Sequence, residues 1–334
     1  MNKLLLTLVM ATLTLPAAQA ASPSGKSKTT VSKSSRASKA VVKRSSASTP
    51  VVKRSRASKA VVHRAKAARR VVAPQPLLEE PGELEVKSSA ALVIEHGGGR
   101  TLYAKNIDAV VPIASITKLM TSMVVLDAGL DLREGVAITD DDIDHLKHTR
   151  SRLTIGTVLE RDELLRLALM SSENRAASAL GRTYPGGIRA FVAAMNNKAF
   201  DLGMRHTHFV DSTGLSSENV STAQDLAKMV TAAYRYPLIQ DYTTLTSHDV
   251  VAGNGRKLTF RNSNGLVKDD NWHIGVSKTG YISEAGRCLV MQARIAAQPV
   301  IIVLLDSWGK YTRIGDANRI KRWVETSHGK PSPG

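Results

Sequence analysis

The pattern of apolar and polar positions predicts β-strands in two groups, one near residue 90 and one near the C-terminus. Residues 90–94 and 101–104 are apolar stretches on either side of a glycine turn at residues 97–99, a pattern typical of a β-hairpin. Three more strand-length stretches occupy residues 272–276, 287–295 and 300–305. The predicted strands therefore lie at the two ends of the region that begins near Val86.

Helical periodicity fills the region between the two strand groups and follows the last strand. Apolar residues recur at helical spacing over residues 164–169 and 190–202, and residues 313–325 carry an apolar face. Strands at both ends of a helical middle predict an α+β fold with one antiparallel sheet. Residues 86–334 are long enough to form a single domain.

The first twenty residues resemble an export signal. Lys3 precedes the apolar residues 4–15, and Ala18-Gln19-Ala20 is a cleavage site of small residues. An apolar run of about twelve residues is short for a membrane-spanning helix. We therefore expect residues 1–20 to be removed and the mature protein to reside in the periplasm.

The basic charge of the chain is concentrated in residues 21–78. The whole sequence carries 46 Lys and Arg against 29 Asp and Glu, but residues 21–78 hold 15 of the basic residues and no acidic one. Valine pairs recur there every ten residues, at positions 41–42, 51–52, 61–62 and 71–72. Because this composition cannot bury a core, we predict that residues 21–85 are a disordered basic segment and linker.

A tail of this charge attracts polyanions. We expect anionic polymers of the cell envelope as its partner, and the alternative is a solvated spacer without a partner. Nucleic acid, the other usual partner of a basic tail, is disfavoured by the export signal.

Three short motifs carry candidate chemistry. In Ser115-Ile116-Thr117-Lys118, a helix would place Ser115 and Lys118 one turn apart on one face, where a lysine with a lowered pKa can activate the serine. Taken alone, the motif is weak evidence, and a helix-capping serine with a surface lysine is the favoured interpretation.

The second motif, Ser171-Ser172-Glu173-Asn174, lies between two predicted helices, where Ser172 can relay a proton and Asn174 can hold a substrate carbonyl. Ordinary helix capping is the alternative. The third motif, Lys278-Thr279-Gly280, follows the predicted strand 272–276. On an edge strand, its lysine and threonine can hold a carboxylate, and its glycine can admit a substrate chain, although an ordinary strand end is the alternative.

In this order, the three motifs resemble the signature of penicillin-binding proteins and serine β-lactamases. Residues 112–121, 167–176 and 213–216 are similar to the low-molecular-mass D-alanyl-D-alanine peptidases. Ser-Ser-Glu-Asn-Arg-Ala and Lys-Thr-Gly-Tyr resemble the endopeptidase branch of that family. The resemblance covers about residues 90–325 and implies an antiparallel sheet packed with helices, plus a helical subdomain.

The resemblance also implies roles for individual residues. Ser115 would attack the D-alanyl carbonyl and form an acyl-enzyme, with Lys118 as its general base. Ser172 would pass a proton to the leaving amine, and Asn174 would position the acyl chain and Lys118.

The third motif and the residue after it would bind substrate: Lys278, Thr279, Gly280 and Tyr281. Lys278 and Thr279 would engage the carboxylate side. The backbone N–H groups of Ser115 and Tyr281 would form the oxyanion hole. No metal or cofactor is implied, and β-lactams would acylate Ser115.

The function that follows is hydrolysis of the D-alanyl to diaminopimelate cross-links of peptidoglycan. A D,D-carboxypeptidase that removes terminal D-alanine has the same motifs and stays an alternative. A β-lactamase is disfavoured because the sequence has no Glu-x-x-Leu-Asn segment. A non-catalytic wall-binding protein with the basic repeat as its working part is a further alternative. Because the chain ends at Gly334, shortly after the last predicted helix, we expect no permanent membrane anchor.

Other reactive residue types are assigned to packing. Cys288, the single cysteine, lies in an apolar strand and is interpreted as a small core residue. Two histidine pairs have metal-like spacing without a third ligand, so surface or packing roles are favoured for them: His145 with His148, and His206 with His208.

Deletion of residues 21–75 tests the role predicted for the basic segment. We expect the truncated protein to react with penicillin at an unchanged rate but to lose the salt-sensitive part of its association with isolated cell walls, because that association is electrostatic. Sedimentation with purified walls at increasing salt measures it. Association that survives the deletion unchanged would make the segment a spacer.

Overall fold

The strands predicted near the two ends of the sequence lie side by side in one sheet. The computed structural model describes residues 84–251 and 255–328, so the predicted signal and basic repeat fall outside the described residues. Five strands form an antiparallel sheet in the order β2-β1-β11-β10-β9. Their bounds are β1 Ala90–Glu95, β2 Thr101–Lys105, β9 His273–Ile282, β10 Gly286–Ile295 and β11 Gln298–Ser307.

Helices and short strand pairs make up the rest of the described chain. The helices are α1 Thr117–Asp127, α2 Arg161–Met170, α3 Asn174–Arg182, α4 Gly187–Asp201, α5 Ala223–Ala233, α6 Pro237–Thr244 and α7 Thr312–His328. The short strands pair as β3 Val111–Pro112 with β6 Val220–Ser221, β4 Gly135–Ala137 with β5 Val158–Glu160, and β7 Ser247–Val251 with β8 Lys257–Arg261. The α+β prediction is confirmed. Within the described residues, no helix combines the length and apolarity needed to cross a bilayer.

The central strands are apolar on both faces because helices cover both sides of the sheet. In β10, Leu289 and Met291 pack into a cluster with Ala317 and Ile320 of α7. Val290, between them, points to the opposite face and joins the core shared with the helices of the middle region. Two-sided burial explains why these strands are continuous apolar runs in the sequence rather than alternating ones.

Most element predictions are confirmed, and one is wrong in its extent. The hairpin of β1 and β2 and the C-terminal helix are present. The predicted strand 272–276 is longer, because β9 continues to Ile282 and contains Lys278, Thr279 and Gly280. Lys278 and Thr279 are buried although they are polar. The hydrophobic pattern of the sequence therefore ends before the strand does.

The single cysteine is confirmed as a core residue. Cys288 lies in β10 and is fully buried. Burial raises the pKa of its thiol to about 11, so the thiolate, which is the nucleophilic form, is scarce at neutral pH.

Candidate active site

Ser115 is carried by a turn of 3-10 helix, Ala114–Ile116, directly before α1. The α-helix itself begins at Thr117, two residues later than the serine. Ala114 has a φ of 48°, a left-handed conformation that is uncommon for residues other than glycine. The Thr117 hydroxyl donates to the Ala114 carbonyl at 2.8 Å and holds this turn in place.

Lys118 brings three separate parts of the chain together. Its amine nitrogen lies 3.0 Å from Ser115 Oγ, 2.8 Å from Asn174 Oδ1 and 2.7 Å from the Thr213 carbonyl oxygen. The lysine is fully buried among the apolar residues of α1. The first two motifs therefore meet at one nitrogen atom, with the serine hydroxyl within hydrogen-bond distance of it.

Burial lowers the pKa of the Lys118 ammonium to about 8, because desolvation penalises the charged form. Three carboxylates oppose this shift: Asp211, Glu173 and Asp144. An amine with a pKa near 8 is substantially neutral at mildly alkaline pH, so it can accept the proton of a neighbouring hydroxyl.

The third motif reaches the same site from the edge of the sheet. Lys278 Nζ lies 2.9 Å from Ser172 Oγ and 3.0 Å from the Thr279 carbonyl oxygen. Lys278 is 1% exposed, and its pKa is lowered well below the ordinary value by burial and then by the charges of Lys118 and Arg313. Ser172 has a φ of 62°, in the left-handed region, so the backbone of the interhelical turn is strained where its side chain meets Lys278.

Gly280 lies where β9 packs against the turn that carries Ser115. A Cβ atom at this position would lie 2.8 Å from the Ile113 carbonyl oxygen and 3.2 Å from the Ser115 amide nitrogen. The glycine therefore lets the strand and the turn approach closely, and its predicted role in admitting a substrate chain stays a prediction. Tyr281, the next residue, is 56% exposed.

The loop at residues 211–216, to which the sequence motifs give no role, completes the surroundings of Lys118. The Asp211 carboxylate accepts hydrogen bonds from the amides of Thr213, Gly214 and Ser216, and so shapes the loop that presents the Thr213 carbonyl to Lys118. Gly214 has a φ of 78°, and a Cβ there would lie 2.0 Å from the Ala114 carbonyl oxygen. The local sequence Asp-Ser-Thr-Gly is a turn signal, but it does not reveal a lysine partner.

Three further polar residues adjoin the site and were also missed. The Asn174 amide donates to Thr149 Oγ1 at 2.9 Å, which leaves its oxygen directed at Lys118. Thr279 Oγ1 donates to Ser263 Oγ at 2.8 Å. Arg313, in the first turn of α7, donates from Nη1 to the Gly280 carbonyl at 3.2 Å. Each partner is distant in sequence, so only the fold brings them here.

Contacts thus bring together most of the predicted site residues: Ser115, Lys118, Ser172, Asn174, Lys278, Thr279 and Gly280. Tyr281 follows them in β9 with an exposed side chain. Within residues 84–251 and 255–328, no three His, Cys, Asp or Glu side chains form a metal-binding group.

Comparison with known proteins places this arrangement in a family. The model of the peptidase S11 family, described as D-alanyl-D-alanine carboxypeptidase, matches residues 76–309. The D-alanyl-D-alanine endopeptidase of Pseudomonas aeruginosa is 47% identical over 255 residues, which cover 76% of this chain and 82% of that protein. The endopeptidase of Escherichia coli is 46% identical over 75% of this chain and 81% of its own length.

Solved structures agree with the sequence relatives. The crystal structure of the Streptomyces K15 DD-transpeptidase superposes with a TM-score of 0.67 at 28% identity, covering 72% of this chain and 98% of that one. The predicted likeness to penicillin-binding transpeptidases is thereby confirmed at the level of the fold.

Replacement of Gly280 by alanine tests the packing of β9 against the serine turn. We expect the rate at which fluorescent penicillin labels Ser115 to fall by about tenfold or more, because the new methyl group displaces the strand or the turn and small misplacements are costly in catalysis. Gly265→Ala is the matched control, since a Cβ there meets nothing within 4 Å. Equal labelling rates for the two variants would contradict the role assigned to Gly280.

Proposed function

The chain belongs to the peptidase S11 family of serine D,D-peptidases, and we propose that within this family it is an endopeptidase that opens D-alanyl cross-links of peptidoglycan. The two relatives at 47% and 46% identity are both named D-alanyl-D-alanine endopeptidases. Relatives named carboxypeptidases are more distant, such as the one from Bacillus subtilis at 30% identity. The preference for the endopeptidase reaction rests on this difference.

The chemistry starts at the contact between Ser115 and Lys118. The neutral Lys118 amine removes the hydroxyl proton while Ser115 Oγ attacks the D-alanyl carbonyl carbon. The tetrahedral intermediate collapses as the bond to the leaving amine breaks, which produces an acyl-enzyme. The single observation that carries this step is the 3.0 Å separation of the two atoms, with the lysine fully buried.

The leaving amine needs a proton. Ser172 is held at 2.9 Å from Lys278 Nζ, so it can pass a proton to the amine and recover one from its neighbours. Asn174 accepts a hydrogen bond from Lys118 through its side-chain oxygen, and we assign the same amide to contact with the acyl chain. Water then attacks the ester carbonyl, and Ser115 leaves with its proton restored.

Recognition of the substrate is assigned to the edge strand. Lys278 and Thr279 bind the carboxylate next to the scissile bond, because an anion offsets the cost of burying a cationic amine. The amides of Ser115 and Tyr281 form the oxyanion hole. A β-lactam presents a reactive amide carbonyl and a carboxylate to the same groups, so it acylates Ser115.

The proposed setting is the periplasm, where peptidoglycan is located. Support comes from the signal at residues 1–20 and from the substrate that the family implies. The basic residues between positions 21 and 78 would then hold the enzyme near anionic envelope polymers.

Digestion of two purified muropeptides tests the proposed substrate. We expect the protein to convert the cross-linked dimer into monomers faster than it removes D-alanine from the uncross-linked pentapeptide, with both reactions followed by chromatography. Ser115→Ala should abolish both reactions and the labelling by fluorescent penicillin, because it removes the nucleophile. Conversion of the pentapeptide alone would reject the endopeptidase assignment, and labelling of the alanine variant would reject Ser115.

The pH dependence of acylation tests the general base. Lys118 acts in its unprotonated form, so the rate constant for acylation by saturating penicillin should rise about tenfold per pH unit below the pKa of about 8 and level off above it. Stopped-flow measurement between pH 6 and pH 9 records this profile. A rate constant independent of pH over this range would contradict the assignment.

A further inference from the structure

A row of three cationic side chains lies near the end of β9. Lys278 lies in the cleft, and Arg313 of α7 contacts the carbonyl oxygen of Gly280 beside it. Arg287 of β10 is the third member, and the mechanism above gives it no role. Its register partner in β9 is Tyr281, the residue that follows Gly280.

The members of this row are close enough to repel one another. Burial lowers the pKa of Arg313, and the charge of Arg287 lowers it further. The pKa of Lys278 is lowered by burial, then by the charge of Lys118 and then by that of Arg313. Arg313 Nε is buried without a hydrogen-bond partner. Like charges and an unpaired buried donor are costly unless an anion joins them.

No carboxylate of the described chain is paired with these cations. Among residues 84–251 and 255–328, none of Lys278, Arg313 and Arg287 forms an ion pair. Glu284 pairs with Lys147 instead. The Asp306 carboxylate lies beside Gly286, the residue before Arg287, but forms no ion pair with the arginine.

Arg287 packs over an aromatic ring. Its guanidinium carbon lies 4.4 Å from the ring centroid of Tyr281. The tyrosine is partly exposed, and Trp308, which follows the β11 register partner of Arg287, is 82% exposed. An arginine among exposed aromatic side chains is typical of a binding surface.

The two alternative reactions differ in what leaves the enzyme. A carboxypeptidase releases free D-alanine, which has one carboxylate. An endopeptidase releases an entire peptide stem, which carries the carboxylate beside the scissile amine and further carboxylates beyond it. Lys278 and Thr279 are assigned to the first carboxylate, so a further cation near the end of β9 matches the longer leaving group.

We propose that Arg287, oriented by the ring of Tyr281, binds a second carboxylate on the departing peptide stem and so favours cross-linked peptidoglycan over terminal D-alanine. This inference rests on the proposed function. It makes Arg287 a specificity-determining residue of the enzyme.

Substitution of one arginine, with a second as control, tests this subsite. The value of kcat/KM is measured for a cross-linked muropeptide dimer and for an uncross-linked pentapeptide. In Arg287→Gln we expect the ratio of dimer to pentapeptide values to fall about tenfold, which is the loss of one charge-assisted hydrogen bond. Arg294→Gln, at the other end of β10, should keep the ratio of the unsubstituted protein.

A chemically altered substrate provides the second arm. A dimer with the distal carboxylates of its leaving stem amidated should be cleaved at the same reduced rate by the unsubstituted protein and by Arg287→Gln. An unchanged ratio in Arg287→Gln, or an equal loss on both substrates, would overturn the inference while leaving the endopeptidase function intact. Failure of the unsubstituted protein to cleave any dimer would overturn the proposed function together with the inference.

Discussion

The structure depends on the burial of one lysine amine between a serine hydroxyl, an asparagine amide and a backbone carbonyl. Lys118 meets Ser115 within its own helical turn, Asn174 from the start of α3 and Thr213 from a distant loop. The nucleophile, the helical middle and the loop after α4 are therefore held to a common geometry by the hydrogen bonds of this nitrogen.

Burying this amine costs free energy of folding, and the packing of the rest of the fold offsets that cost. Lys118 and Lys278 are both buried and their charges oppose one another, so the site favours partial deprotonation and a bound anion. Ala114 and Ser172, on either side of the cleft, have left-handed backbones that are strained for these residue types. The central sheet, packed on both faces, provides the rigid support against which these strained turns are held.

Sequence reasoning predicted much of the site because its chemistry lies in short motifs. The spacing of Ser115 and Lys118 requires only a helical turn, and the strands at both ends of the domain follow from apolar runs. The full extent of β9 could not be predicted from apolar runs, because Lys278 and Thr279 are polar residues that are buried within the strand. Thr213 was missed as well, since it contributes a carbonyl oxygen that any residue has. Arg313 reaches the site from α7 only through the packing of that helix on the sheet.

The most direct test of this account is the titration of the Lys118 amine itself. Lysines labelled with 13C at the ε position can be followed by NMR against pH in the unliganded protein, with Lys118→Arg identifying the resonance. The account predicts a signal with a midpoint near pH 8 that is absent from the variant. A Lys118 resonance that titrates above pH 10, as an exposed lysine does, would contradict it.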